Sequence, residues 1–347
     1  MRDDVNLRNR PLAVGGSSDR RGVIATCNYD AREYGVRSAM ATAHALKLCP
    51  DLLVIPPNME KYQEASRLMR DIFYDYTDQI EPLSLDEAFL DVSESDMCQG
   101  SATLIAEEIR QRIHEKLQIT VSAGVANCKF LAKIASDVNK PNGICVVTPE
   151  QTENFVLKLP VNKIFGVGKV THAKLLRMGI ETCAELRKFN IFELTEHFGS
   201  FGKQLYELSR GIDKREVSPK QKRKSLSVEN TYPEDLQSEK ACLRKIPELF
   251  VSLKSRLNRM NRAHRTTKSF VKVKFNDFST TTVEKIGTTA EIQVYENLLR
   301  EALGRKNLAV RLLGIGVRFI DEREDDKIIQ LELFEKYPEF FPGLSKK

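Results

Sequence analysis

The chain has 347 residues, 41% hydrophobic and 29% charged, enough core material for two to four globular units. No apolar run is long enough to span a bilayer, and the start Met1-Arg-Asp-Asp-Val-Asn lacks a signal-peptide core, so a cytoplasmic protein with no membrane partner is expected. Seven cysteines without a C-x-x-C pair and five histidines outside any H-E-x-x-H pattern point to reduced thiols and suggest no zinc site.

Residues 1–56 are rich in turn signals. Gly15-Gly16-Ser-Ser-Asp-Arg-Arg-Gly22 links two short strands, Pro11–Val14 and Gly22–Thr26, and a short helix follows over Ala41–Leu48. From Met59 to Tyr76 the apolar residues Tyr62, Leu68, Met69, Ile72 and Phe73 recur at helical spacing.

The stretch Glu81-Pro-Leu-Ser-Leu-Asp-Glu-Ala-Phe-Leu-Asp-Val-Ser-Glu94 organises the rest. Its centre, Ser84–Val92, reads as an apolar strand with two carboxylates, Asp86 and Glu87, set into it. Consecutive strand residues face opposite ways, so both can be ordinary solvated charges only if a turn intervenes. Paired oxygen donors of this kind are natural Mg²⁺ ligands; the plainer alternative is a tight hairpin with an exposed acidic tip. A helix capped by Ser101 follows, with Ile105, Ile109, Ile113 and Leu117 every fourth residue. A strand over Ile119–Val125 and a helix over Lys129–Ser136 complete an α+β unit with a largely antiparallel sheet.

After Thr148 the pattern turns helical. Gly166-Val-Gly168, followed by Lys169 and Lys174, predicts a helical hairpin whose backbone N–H groups face a phosphate; a plain helical turn is the alternative. Lys214–Lys224, with six bases and one acid, reads as a linker. Residues 225–321 then read β-α-β-β-α-β, with strands at 225–229, 269–275, 279–285 and 309–319 and helices at 238–260 and 288–303. Between Lys240 and Lys274 stand eleven Lys/Arg against one acid, Glu248, within a chain of net charge +6, so the remainder is net acidic. Ser269-Phe-Val-Lys-Val-Lys-Phe275 alternates apolar residues with lysine, placing Lys272 and Lys274 on one sheet face; with Lys254, Arg256 and Arg259 they are candidates for a nucleic-acid backbone. A tail, Ile328-Ile-Gln-Leu-Glu-Leu-Phe334, follows an acidic run.

In combination, Thr26-Cys-Asn-Tyr29-Asp-Ala-Arg32, Gly35-Val-Arg-Ser-Ala-Met40, Pro82-Leu-Ser-Leu-Asp-Glu-Ala-Phe89, Ser122-Ala-Gly-Val-Ala, Leu131-Ala-Lys-Ile-Ala-Ser136, Asn139-Lys-Pro-Asn-Gly143 and Gly166-Val-Gly168 resemble the Y-family translesion DNA polymerases. The resemblance implies an α+β right-hand polymerase. Its parts would be fingers (1–56), an antiparallel-sheet palm (57–148), a helical thumb with a helix-hairpin-helix (149–213), a linker (214–224), a β-α-β-β-α-β little finger (225–321) and a tail (322–347). It implies low-fidelity, template-directed addition of dNTPs to a primer 3′-hydroxyl past damaged DNA, by a monomer using two Mg²⁺ ions. By the same resemblance Asp86 and Glu87 hold metal, and Thr26, Tyr29, Arg32 and Lys140 hold the incoming triphosphate. Gly166, Gly168 and Lys169 join the five bases above on primer–template DNA, and Gln330, Leu331, Leu333 and Phe334 engage the sliding clamp. A planar guanidinium can donate to two phosphate oxygens at once, while a lysine supplies a point charge.

The family opens with a strand carrying a further metal-ligating aspartate and an aromatic residue that excludes ribose, and Met1-Arg-Asp-Asp-Val matches sequence after it. This first palm strand is therefore expected to be missing, and the 347 residues alone are expected to be poorly soluble or inactive, with a non-catalytic DNA- and clamp-binding homologue as the alternative. The helical hairpin and the basic segment argue against a nucleotide cyclase, whose palm-like domain also presents acidic ligands.

Overall fold

The computed structural model describes residues 2–219, 223–260, 265–287 and 290–320. Two units divide the chain, one formed by Met1–Asn6 with Asn58–Gln221 and the other by Leu7–Pro57 with Lys222–Lys347. Among the described residues no helix is long and apolar enough to cross a membrane.

The N-terminal part of the second unit is a three-stranded sheet. Its middle strand β1 (Leu12–Gly15) pairs antiparallel with β2 (Ile24–Cys27) and parallel with β3 (Leu53–Ile55), and the first two strands lie where the turn signals placed them. Helix α1 (Tyr29–Glu33) starts at Asn28, whose Oδ1 accepts from the Ala31 and Leu12 N–H groups at 3.0 Å each. With α2 (Thr42–Leu48) it closes a small core of Ala13, Ile24, Ala31, Val36 and Ala45.

In the first unit, α3 (Met59–Tyr74) buries Met69 and Ile72 against Ile105, Ile109, Ile113 and Leu117 of α4 (Ala102–Leu117), the stripe read from the sequence. Between them the acidic stretch departs from expectation. Strands β4 (Ile80–Pro82) and β5 (Ala88–Leu90) pair antiparallel with Pro82 opposite Ala88, so Leu83–Glu87 is the turn of a hairpin and Ser84–Val92 is not one continuous strand.

The chain continues through β6 (Ala123–Ala126), α5 (Lys129–Val138) and β7 (Ile144–Val147). β6 and β7 pair in parallel, because the connection between them is a helix rather than a tight turn. The expected palm sheet is thus two separate two-stranded ladders, one antiparallel and one parallel. Gly124 permits the close packing of α5, since a Cβ there would stand 2.0 Å from the Ala132 carbonyl oxygen.

Helices α6 (Thr152–Leu157), α7 (Lys169–Arg177), α8 (Cys183–Leu186), α9 (Ile191–Phe198) and α10 (Ser200–Leu208) follow. Their core of Val156, Leu175, Leu186, Leu194 and Leu205 is continuous with Phe130, Leu131 and Ala135 of α5. The element before Gly166 is a 3-10 turn, Val161–Lys163, rather than a full helix. A second helical hairpin, α9–α10, absent from the expected elements, turns at Gly199 with φ +59°.

The C-terminal part of the second unit is the β-α-β-β-α-β arrangement expected, with order β10-β9-β11-β8, all antiparallel. Its members are β8 (Ser225–Leu236), α11 (Glu239–Leu243), α12 (Ile246–Asn258), β9 (Thr266–Phe275), β10 (Thr280–Ile286), α13 (Ile292–Gly304) and β11 (Val310–Phe319). The single helix expected over 238–260 is two, with Pro247 in the first turn of α12, where its missing N–H is harmless. Leu249, Leu253, Tyr295 and Leu299 from the helices cover Val271, Val273, Phe275 and Ile315 of the sheet. An Arg21–Asp235 ion pair at 2.6 Å joins the two parts of this unit.

Candidate active site

Ser84 makes the acidic turn. Its Oγ accepts from the Asp86 and Glu87 N–H groups at 3.3 and 3.1 Å and donates to Asp86 Oδ1 at 2.6 Å. A serine hydroxyl offering such local bonds competes with the strand ladder, which is why an apolar stretch breaks here. Across the turn, the Leu83 N–H reaches the Glu87 carbonyl at 2.9 Å. Asp86 and Glu87 are both exposed, side by side at the hairpin tip, as the plainer of the two sequence readings has it.

Helix α5 braces this hairpin with two lysines four residues apart, hence on one helix face. Lys133 Nζ stands 2.7 Å from Glu87 Oε2 at the tip, and Lys129 Nζ stands 2.5 Å from Glu81 Oε2 at the base. Sequence reasoning missed all three of Glu81, Lys129 and Lys133; the available signal was the i, i+4 spacing of the lysines. Among the described residues no group of three or more carboxylate, histidine or cysteine side chains could enclose a metal ion. The donors of Asp86 and Glu87 are all oxygen and reach solvent, which fits a hard divalent cation and not a thiophilic one.

Lys140 lies beyond the C-terminus of α5, in the same unit as the hairpin, where it pairs with Asp137 at 2.5 Å while half-exposed. Thr26, Tyr29 and Arg32 belong to the other unit and gather at the β2–α1 junction. Thr26 and Tyr29 are exposed, and the Arg32 guanidinium lies 5.7 Å from the Tyr29 ring centroid, its Nε donating to the Cys27 carbonyl at 3.4 Å. The pair therefore presents an aromatic surface and a planar cation side by side.

Gly166 has φ +90° and packs on Phe201 of α10, where a Cβ would come within 2.8 Å of the ring. Gly168 begins α7, a Cβ there would meet nothing within 4 Å, and Lys169 is exposed in the first turn. Gly168 and Lys169 thus stand at the start of a nine-residue helix, whose first N–H groups lack partners within the helix.

The basic segment is not one surface. Strand β9 alternates, burying Val271, Val273 and Phe275 beneath the helices and turning Lys268, Phe270, Lys272 and Lys274 to the sheet's other face. Lys254, Arg256 and Arg259 are exposed on and just beyond α12, which packs on the covered face, so they lie on the opposite side of the layer from Lys272 and Lys274. The open face also carries acids: Lys272 pairs with Glu229 at 2.8 Å, while Lys268 and Arg318 share Glu284 at 3.1 and 2.7 Å. Arg318 and then Lys268 hold the Glu284 carboxyl below the usual carboxylate range. Lys274 and Arg311 flank the Phe278 ring at 4.9 and 4.8 Å. Gln330, Leu331, Leu333 and Phe334 lie outside the described residues.

A family model described as the impB/mucB/samB family matches residues 1–137, and its C-terminal domain matches 223–333. The thumb domain of DNA polymerase iota matches 162–213. A protein of Ectopseudomonas mendocina called DNA polymerase IV is 57% identical over 334 residues, covering 96% of this chain and 94% of that one. Its namesake from Pseudomonas putida strain GB-1 is 58% identical over the same span. The chain belongs to the Y family of DNA polymerases. Solved structures agree. A Y-family DNA polymerase chimera superposes with a TM-score of 0.81 at 29% identity over 90% of this chain and 92% of its own. An insertion ternary complex of Dbh DNA polymerase gives 0.64 at 30% identity, covering 91% and 93%.

Family membership gives the hairpin, the helical hairpins and the C-terminal sheet their setting: a palm with fingers, a thumb and a little finger, in a DNA-directed DNA polymerase. Enzymes of this family are nucleotidyltransferases that generally use divalent metals. Nothing in these likenesses supports the expected inactivity or the non-catalytic alternative, since the relatives carry the name of a polymerase.

Proposed function

We propose that the chain adds dNTPs to a primer 3′-hydroxyl under template direction and with low fidelity, copying past damaged bases. The observation that carries this reading is the exposed Asp86–Glu87 pair on a lysine-braced hairpin, in a chain aligned over 334 residues with proteins called DNA polymerase IV. Asp86 and Glu87 would hold Mg²⁺, whose chemistry is to neutralise charge developing on the transferred phosphoryl group; two ions fit the reaction class. Arg32 and Lys140 neutralise the incoming triphosphate, with Tyr29 and Thr26 beside it. Gly166, Gly168 and Lys169 hold one stretch of DNA backbone, and the open sheet face with Lys272 and Lys274 another. Lys254, Arg256 and Arg259 stand on the helix side and make a separate, weaker contribution.

The division into fingers 1–56, palm 57–148, thumb 149–213, linker 214–224, little finger 225–321 and tail 322–347 belongs to the same reading. So do a monomeric, cytoplasmic enzyme and a sliding-clamp peptide at Gln330–Phe334, where two leucines and a phenylalanine suit an apolar groove. Primer extension on intact and lesion-bearing templates tests the core of it. Wild type extends both with Mg²⁺ and Asp86→Asn extends neither; synthesis that survives in Asp86→Asn overturns the reading.

A further inference from the structure

Glu81 has no part in the roles above, yet it is 4% exposed and charged, on β4 opposite Phe89 of β5. Its Oε2 accepts from Lys129 Nζ at 2.5 Å and from the Ser218 backbone N–H at 2.8 Å. Lys129 also donates to the Glu216 carbonyl at 3.0 Å, and its Nζ stands 5.3 Å from the Phe89 ring centroid. A buried pair of charges is tolerated only when its remaining hydrogen-bonding capacity is filled. Here the backbone of the connector leaving α10 fills it. A second tie precedes it: Asp213 accepts from the Phe130 N–H, in the first turn of α5, at 3.0 Å and from Arg215 at 2.8 Å. The Arg215 guanidinium in turn lies 4.8 Å from the Phe165 ring. Residues 213–218 are thereby fastened at one end to α5 and at the other to the base of the acidic hairpin.

The hairpin itself is weakly built, with three pairs of ladder residues, and so takes its position from what it leans on. Its braces are Lys133 at the exposed tip and Lys129 at the buried base, and only the buried one also touches the connector. We propose that Glu81 and Lys129 are positioning residues that couple the connector to the acidic hairpin, so that freeing residues 213–218 loosens the hold on Asp86 and Glu87. This rests on the reading of that hairpin as the metal-binding part of the polymerase.

Three variants of the full chain test it. Ser218→Pro deletes the N–H that Glu81 accepts, Ser218→Ala keeps it, and Glu81→Gln removes the charge while keeping an acceptor. Hydrogen–deuterium exchange of the peptide spanning 80–90 is expected to quicken about fivefold in Ser218→Pro and Glu81→Gln and to stay at the wild-type rate in Ser218→Ala. In the same two variants kcat falls about tenfold, while KM for dNTP and the Kd for primer–template hold within twofold, as for a misplaced rather than a missing group. Faster exchange confined to 213–218, or a loosened hairpin with unchanged kcat, overturns the coupling. Should Glu81→Gln fail to fold, Ser218→Pro decides alone, because Ser218 is exposed. Synthesis surviving in Asp86→Asn would remove the metal role and leave the exchange result standing, so the two failures are distinguishable.

Discussion

The acidic hairpin and the open face of the C-terminal sheet are charged surfaces of opposite sign, built by different means. In the hairpin, strands of three residues hold up a turn that a single serine organises, and Lys133 answers Glu87. In the sheet, strands of up to twelve residues rest on a deep core, and Glu229 and Glu284 answer three of the exposed bases. Both surfaces therefore carry counter-charge before any ligand arrives. Ion pairs this exposed are worth about 0–1 kcal/mol, so an incoming cation or phosphate exchanges partners at little cost. What differs is redundancy: the hairpin has two carboxylates with no substitute, whereas the sheet spreads its charge over many bases.

That difference orders the expected effects of mutation. Asp86→Asn or Glu87→Gln abolishes nucleotide addition while primer–template affinity, read by fluorescence anisotropy, stays near wild type; a comparable loss of both would erase the contrast. Arg32→Ala removes a charge-assisted contact of about 1.5–3 kcal/mol and raises the dNTP concentration needed for half-maximal rate roughly tenfold to a hundredfold in steady-state kinetics. On the sheet, Lys272→Ala with Lys274→Ala weakens binding to all DNA sequences alike and flattens the slope of log Kd against log salt by about 2. Glu229→Gln steepens the same slope by about 1, because Lys272 is freed. The pair Lys254→Ala with Arg259→Ala gives a smaller change; an equal one would mean that the helix side binds as well as the sheet face.

The smallest effect concerns the connector. Burial pushes the Asp213 carboxyl up, but Arg215 and the Phe130 N–H outweigh it and hold it below the usual carboxylate range. A carboxyl lowered in the folded state stabilises above its unfolded value of about 3.9 and loses that contribution as pH falls through the folded value. Wild type should therefore melt above Asp213→Asn at pH 7, with the gap closing below about pH 4 in thermal scans.

The sheet was the legible region and the hairpin the less legible one, for a physical reason. Alternation along Ser269–Phe275 extends over enough residues to fix a strand and its faces, and the α4 stripe of Ile105, Ile109, Ile113 and Leu117 does the same for a helix. In Ser84–Val92 the same apolar composition concealed a turn, because Ser84 satisfies backbone N–H groups that a strand would have paired. Carboxylates, glycines and the motif arginine could be named from the sequence as candidates. Their supports, Glu81, Lys129 and Lys133, could not, since each acts through a neighbour at least 46 positions away. The split of the basic segment was hidden likewise: charge can be counted along a chain, but only the packing of α12 shows which side of the layer each base takes.

The order β10-β9-β11-β8 has a consequence for how the protein is made. The strand that joins β8 to β9 is the last of the four to leave the ribosome, and until Val310–Phe319 has emerged β8 lacks its ladder partner and β9 is paired on one side only. The contacts of β11 with β8 and β9 are long-range, so the layer closes only after β11 has emerged, with one edge of β8 and one edge of β9 unpaired in the meantime. A nascent chain stalled before Val310 presents those strand edges as adhesive surfaces, and the speed of translation across α13 sets how long that hazard lasts.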